Sequence, residues 1–176
     1  MATLIVENGS IVANANTYVT IEEYIAYASS LGVTVEDTDT YKVQLIKAAQ
    51  YIDSKESQLY GDMVEKTQPL AYPRNNLVDL QNFTWGNDEI PTLVKKCQMS
   101  LALDINSGED LYNLSASASV AVKRERVEGA VEVEYAVTDS ARIARNSRSS
   151  SLLAALMKNG GTSIPLSMAY YERCVL

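Results

Sequence analysis

Residue types that usually carry enzyme chemistry are scarce in this sequence. The 176-residue chain has no histidine, which removes Ser-His-Asp and Cys-His catalysis and every zinc site that needs an imidazole. Its two cysteines, Cys97 and Cys174, can make neither a four-thiolate metal site nor a disulfide framework. Their wide separation reads as reduced, cytosolic usage, with a single bridge left open. Neighbouring carboxylates occur at Glu22/Glu23, Asp37/Asp39 and Glu109/Asp110. Without metal-ligand spacing around them, they read as solvated faces and helix starts. Nothing matches a glycine-rich phosphate loop. The expectation is a protein with no catalytic set, no cofactor and no metal.

Binding residues are easier to find. Lys123-Arg124-Glu125-Arg126 offers cations for DNA, but the glutamates within and after it favour a surface strand. Arg142, Arg145 and Arg148 lie in a polar, serine-rich stretch. Eleven tyrosines invite base stacking, yet Tyr24, Tyr41 and Tyr51 sit in helical patterns and read as core. The charge balance argues against a general grip on phosphate. The net charge is −7, made up of −6 over residues 1–66, −3 over 67–122 and +2 over 123–176. Phosphate binders gain affinity from a basic excess, which only the C-terminal third has.

The elements that position these residues follow from periodicity. Apolar residues make up 47% and charged residues 21%, the balance of an ordinary globular chain. No stretch approaches the roughly 20 apolar residues of a membrane span. The N-terminal residues lack the basic region and long apolar run of a signal peptide, so a soluble intracellular product is expected. Thr20-Ile21-Glu22-Glu23 fits a capping box opening a helix, with Ile21, Tyr24, Ile25, Ala28 and Leu31 on one face and Gly32 as its stop. A second helix is expected from Thr38 or Asp39, with Tyr41, Leu45, Ala48 and Ile52 as its stripe, widened by Ile46 and Ala49. Residues 55–89 read as a long loop. Pro69 and Pro73 forbid a regular helix there, and Tyr60, Tyr72, Phe83 and Trp85 should fold it back onto the helices. Pro91 suits the first position of a third helix, whose stripe is Leu93, Val94, Cys97, Leu101, Ala102 and Ile105, ending at Gly108.

Beyond Ser115–Ser119 the period changes to two. Val120, Val122, Arg124 and Arg126, then Val131, Val133, Tyr135 and Val137, predict two strands. With Glu128-Gly129 as a two-residue turn, Val122 pairs with Tyr135 and Lys123 with Glu134, and Glu125 falls opposite Glu132. Such a ribbon is marginal alone and must lean on the helices or on a neighbouring subunit. A short helix over Ser151–Lys158 precedes Gly160-Gly161. The last segment is apolar and aromatic although chain ends are usually polar. Its Tyr170-Tyr171 pair has the character of an interface anchor. The fold class is therefore mainly α: a small helical bundle with a β-hairpin and an extended C-terminal arm. Residues 1–137 form the body, and residues 138–176 form a linker, short helix and docking arm.

Five segments in order carry a resemblance. They are Asn14–Glu23, Leu45–Asp53, Gln68–Arg74, Ile90-Pro91 and Val122–Tyr135. Together, over about residues 5–137, they resemble the head–tail connector (adaptor, or head-completion) proteins of tailed bacteriophages. Some of these carry the label DnaT-like single-stranded-DNA-binding protein. The aromatic before Pro73 is often tryptophan in such proteins and is Tyr72 here. The resemblance implies a non-catalytic subunit of a ring, commonly of about twelve copies. That ring assembles in the host cytoplasm, docks under the portal protein in the virion neck, and extends the channel for packaged DNA. It also gives the tail, or a second neck protein, its platform, with no membrane involved. Residues Gly160–Leu176 span up to roughly 55 Å when extended. They are expected to enter a groove on the portal, anchored by Ile164, Leu166, Met168, Tyr170, Tyr171, Val175 and Leu176, the alternative being that the segment packs against its own domain. Lys123, Arg124, Arg126, Arg142, Arg145 and Arg148 are the candidates for the channel or for neighbouring subunits. The alternatives are a single-stranded-DNA-binding replication protein and an assembly chaperone absent from the mature virion.

Overall fold

The computed structural model describes residues 2–78, 84–112, 124–127, 131–134 and 148–158. Four helices dominate it: α1 (Ile21–Ser30), α2 (Asp39–Asp53), α3 (Thr92–Asn106) and α4 (Arg148–Leu156). Two antiparallel pairs accompany them, the minimal β1 (Asp62–Met63) with β2 (Arg74–Asn75), and β3 (Arg124–Val127) with β4 (Val131–Glu134). The fold is thus mainly α with a hairpin, as the periodicity predicts. No helix of the described residues is long and apolar enough to cross a membrane.

Helix α1 starts where its sequence says it must. Thr20 Oγ1 accepts the Glu23 N–H at 3.2 Å, and Glu23 Oε2 accepts the Thr20 N–H at 2.9 Å, so both halves of the capping box form. Ile21, Tyr24 and Ala28 are buried, while Leu31 lies outside the core as the C-cap residue. Helix α2 buries Leu45, Ala48, Ala49 and Ile52 as expected, and also Gln44. Tyr41 and Ile46 are only half-buried.

Pro91 precedes α3 as its N-cap and is not its first helical residue. The ring fixes φ at −56°, which suits an extended cap with ψ 137° as well as a first turn. Its carbonyl accepts the Val94 N–H at 2.9 Å. Helix α3 is the centre of the bundle and touches α1, α2 and α4. That explains why Gln98, Met99 and Ser100 are buried along with the expected Val94, Cys97, Leu101 and Ala102. A one-sided stripe describes a helix with one neighbour; this helix has three.

Helix α4 begins three residues before the expected Ser151 and ends before Lys158. Ser149 is buried and its hydroxyl bonds the Asp104 carboxylate of α3, so a polar serine is accommodated in the first turn. Leu153, Leu156 and Met157 enter the core. The Lys158 N–H donates to the Gln58 carbonyl at 2.7 Å, and the Tyr60 N–H to the Leu156 carbonyl at 3.1 Å. These bonds tie α4 to the 3-10 turn Glu56–Gln58 that follows α2.

The hairpin register differs from the expected one by a residue. Arg124 pairs with Glu134, Glu125 with Val133, Arg126 with Glu132 and Val127 with Val131. The loop therefore has three residues, not two. This shift removes the Glu125–Glu132 opposition and sets positions of unlike charge across from one another.

The N-terminal loop is built around a buried carboxylate. Glu7 is 1% exposed. Its Oε1 accepts the N–H groups of Gly9 (2.8 Å) and Ile11 (3.0 Å), and its Oε2 accepts that of Val12 (2.8 Å). Those bonds hold Ile11 at φ 57°, a left-handed value rare for a β-branched residue.

Candidate functional site

Three of the sequence segments that carry the resemblance converge on one buried polar cluster. Tyr18 sends its hydroxyl proton to Asp53 Oδ1 at 2.8 Å, and the Ala71 N–H donates to the same oxygen at 2.9 Å. The Tyr72 N–H donates to the Tyr18 hydroxyl at 3.3 Å, and the two rings meet edge to face with centroids 6.1 Å apart. From α3, Gln98 completes the cluster. Its Oε1 accepts the Tyr18 N–H at 2.9 Å, and its Nε2 donates to Thr17 Oγ1 at 2.8 Å and to the Leu45 carbonyl at 2.9 Å.

The Gln68–Arg74 segment is fixed by its two polar ends. Gln68 Oε1 accepts the N–H groups of Val64 and Glu65, both at 3.0 Å, and its Nε2 donates to the carbonyls of Leu70 (2.8 Å) and Pro73 (3.0 Å). Arg74 is 4% exposed. Its guanidinium donates to the carbonyls of Tyr60 (2.7 Å), Gly61 (2.9 Å) and Ala71 (3.1 Å). The Tyr72–Pro73 peptide between them is cis. Every one of these polar groups serves the scaffold: it satisfies loop backbone that would otherwise be buried unpaired.

The electrostatics agree. Burial pushes the Asp53 carboxyl above its ordinary value against the opposing pull of its two hydrogen bonds. Tyr18 is held well above its usual value by burial and by the Asp53 charge. Burial, with a smaller effect from Asp104, pushes the Cys97 thiol up to about 12, which leaves it an inert core residue. Among the described residues no group of three His, Cys, Asp or Glu side chains is placed to hold a metal.

Three lysines of the helical body lie against neighbours. Lys42 pairs with Asp37 at 2.6 Å and Lys95 with Glu23 at 3.1 Å. Lys55 lies 5.3 Å from the centre of the Tyr51 ring. Two open clefts of about 420 and 390 Å³ flank Thr20, and in each the carboxylates outnumber a single lysine, Lys42 in the first and Lys95 in the second. The first contains Glu22 and Asp37, the second Glu23, Asp88 and Glu89 beside Trp85.

Of the basic candidates, Arg124 and Arg126 occupy β3 and Arg148 is an exposed residue in the first turn of α4. Lys123, Arg142 and Arg145 lie outside the described residues, as do Ile164, Leu166, Met168, Tyr170, Tyr171, Val175 and Leu176 of the arm. One surface feature escaped the sequence. Tyr51, expected in the core, is half-buried and meets Tyr112 edge to face at 5.3 Å, and Tyr112 is 64% exposed. The pair with Lys55 forms the described surface's aromatic patch. A tyrosine in the polar exit after α3 was its only sequence signal.

Fold and surface together define a small, mainly α-helical protein whose recognisable motifs build its scaffold. A model of the family described as "Putative DnaT-like ssDNA binding protein" matches residues 2–169, and the chain belongs to that family. The match extends well past residue 137, where the motif resemblance ends. No curated protein and no solved structure matches the chain.

Proposed function

We propose that the protein is a non-catalytic adaptor of the neck of a tailed-bacteriophage virion. It forms a ring under the portal, extends the DNA channel and presents a platform to the tail or to a second neck protein. The observation that carries this reading is the disposition of charge. Net charge is −7, Arg74 is spent on internal carbonyls, and Lys42 and Lys95 are paired with carboxylates. Such a body suits protein contacts and passing DNA, not a grip on phosphate. The arm Gly160–Leu176, with its apolar and tyrosine anchors, is the proposed portal-binding element.

Two measurements test this reading. Mass spectrometry of purified virions, with electron microscopy of isolated necks, must find the protein as a ring beneath the portal. Absence from virions overturns the reading and leaves the assembly chaperone. Deleting residues 162–176 must abolish portal binding; undiminished binding removes the arm's role.

A single-stranded-DNA-binding replication protein is the second reading. The family's description and the exposed Tyr51–Tyr112 pair beside Lys55 favour it. It requires affinity for free oligonucleotides that falls steeply with salt, which the adaptor does not.

A further inference from the structure

The β3–β4 ribbon is short, with four residues in each strand. Among the described residues no third strand pairs with it and no helix packs broadly against it. A two-stranded ribbon of this length is marginal in water, and each outer edge offers a row of backbone donors and acceptors. Both arginines lie on β3, and β4 carries only glutamates as charged residues. The sequence of β3 is Arg124-Glu125-Arg126-Val127, and that of β4 is Val131-Glu132-Val133-Glu134. The register sets Arg124 across from Glu134 and Arg126 across from Glu132.

We propose that this ribbon is the seam between neighbouring copies of the chain, β4 of one copy pairing antiparallel with β3 of the next. The proposal rests on the ring-forming reading above and names the contact that builds the ring. A second copy's β3 laid along the outer edge of β4 repeats the register already present within the hairpin, arginine positions against glutamate positions. The two symmetric alternatives fail on charge. Pairing β3 with β3 sets arginines together, and pairing β4 with β4 sets glutamates together. Only the head-to-tail arrangement is complementary, and a repeated head-to-tail contact closes into a ring when its rotation returns to the first copy. Val127, Val131 and Val133 fall, together with Glu125, on the face of the ribbon opposite the positions of Arg124, Arg126, Glu132 and Glu134. Charges that merely guard an edge need not be complementary; here both arginine positions of β3 are matched to glutamate positions of β4.

The test is a charge exchange in the full chain, R124E/R126E/E132R/E134R. Exchanging all four positions preserves unlike pairs within the hairpin and at a seam between two exchanged copies. At a seam between wild-type and exchanged copies it creates only like pairs. Native mass spectrometry should show that each protein assembles alone, and that a one-to-one mixture sorts into the two pure oligomers at least tenfold over statistical mixing. Statistically mixed oligomers overturn the seam while leaving the ring intact. Persistent monomers overturn the seam too, and the virion measurement then judges the adaptor reading separately. A second measurement does not depend on the exchanged variant folding. In a C174S background, an R126C chain mixed with an E132C chain should form a disulfide-linked dimer of the two under mild oxidation, and neither chain alone should. No mixed dimer overturns the proposal.

Discussion

Tyr18 and Asp53, 35 positions apart, share a 2.8 Å hydrogen bond that joins the segment before α1 to the last residue of α2. The Ala71 N–H reaches the same carboxylate oxygen, so a single oxygen gathers three separate parts of the chain. Because burial raises the Asp53 pKa, the folded state disfavours its ionised form. The sign follows by linkage. The stabilising contribution is fully present below the unfolded-state value, near 3.8, and is lost as pH rises through the higher folded-state value. Wild type should therefore lose stability relative to D53N as pH rises across that window, as urea unfolding measured at a series of pH values will show. An unchanged difference at all pH values would contradict the shift.

Removing the Tyr18 hydroxyl should cost more than one ordinary hydrogen bond. Y18F leaves Asp53 with the Ala71 donor and leaves the Tyr72 N–H without its acceptor. A loss of about 1–3 kcal/mol is expected in denaturant unfolding. Q98L should be at least as damaging, because the Tyr18 N–H, Thr17 Oγ1 and the Leu45 carbonyl all lose a partner in the interior.

Gly9 and Gly32 separate two ways in which a glycine is required. Both have left-handed backbones, at φ +108° and +75°. A Cβ on Gly32 meets nothing within 4 Å, whereas one on Gly9 would lie 1.8 Å from the Asp88 carbonyl oxygen. G32A should cost about 1 kcal/mol, the strain alone. G9A must also push the N-terminal loop off the 86–89 turn, and should cost clearly more than G32A. Thermal unfolding of the two variants side by side checks the order.

Cys97 should be silent toward thiol reagents. With its pKa pushed up to about 12, roughly one molecule in ten thousand carries a thiolate at pH 8, and the sulfur is buried as well. In C174S protein, the native state should consume almost no Ellman's reagent, and urea-unfolded protein should consume one equivalent. Rapid native reaction would mean that α3 is not the packed centre of the bundle.

The three major helices were legible because their information is local. A capping box at Thr20–Glu23 and stripes such as Leu45, Ala48 and Ile52 are written within a few turns. Buried polar residues were not legible. Gln98 has the character of a solvated helix position until its partners, 53 and 80 positions away, are brought to it. Glu7 and Arg74 are equally opaque, since their partners are backbone groups that any sequence supplies. The early start of α4 was hidden by its serines, one of which is buried against Asp104. The hairpin's alternation fixed both strands, but a loop of two residues or of three preserves it equally, and only the charge pairing separates the registers. The candidate interface lay in the basic stretch and the apolar arm, most of which falls outside the described residues, while Tyr51 and Tyr112 met only through the fold.

The aromatic patch gives the two functional readings opposite outcomes. If the chain held single-stranded DNA, Tyr112 would stack on a base and Lys55 would sit near the backbone. Y112A and K55A would then each weaken binding, with about 1–3 kcal/mol lost per stacked base. The adaptor reading has no such need, and the acidic clefts of the described surface oppose a polyanion. The clefts flanking Thr20 carry Glu22, Glu23, Asp37, Asp88 and Glu89, and Tyr112 itself follows Glu109 and Asp110. Fluorescence anisotropy with a labelled oligothymidine should therefore detect negligible binding by the wild type at physiological salt, and no difference between wild type and Y112A at low salt. Affinity in the micromolar range or tighter, with a log–log salt slope that K55A makes shallower, would reverse the assignment in favour of DNA.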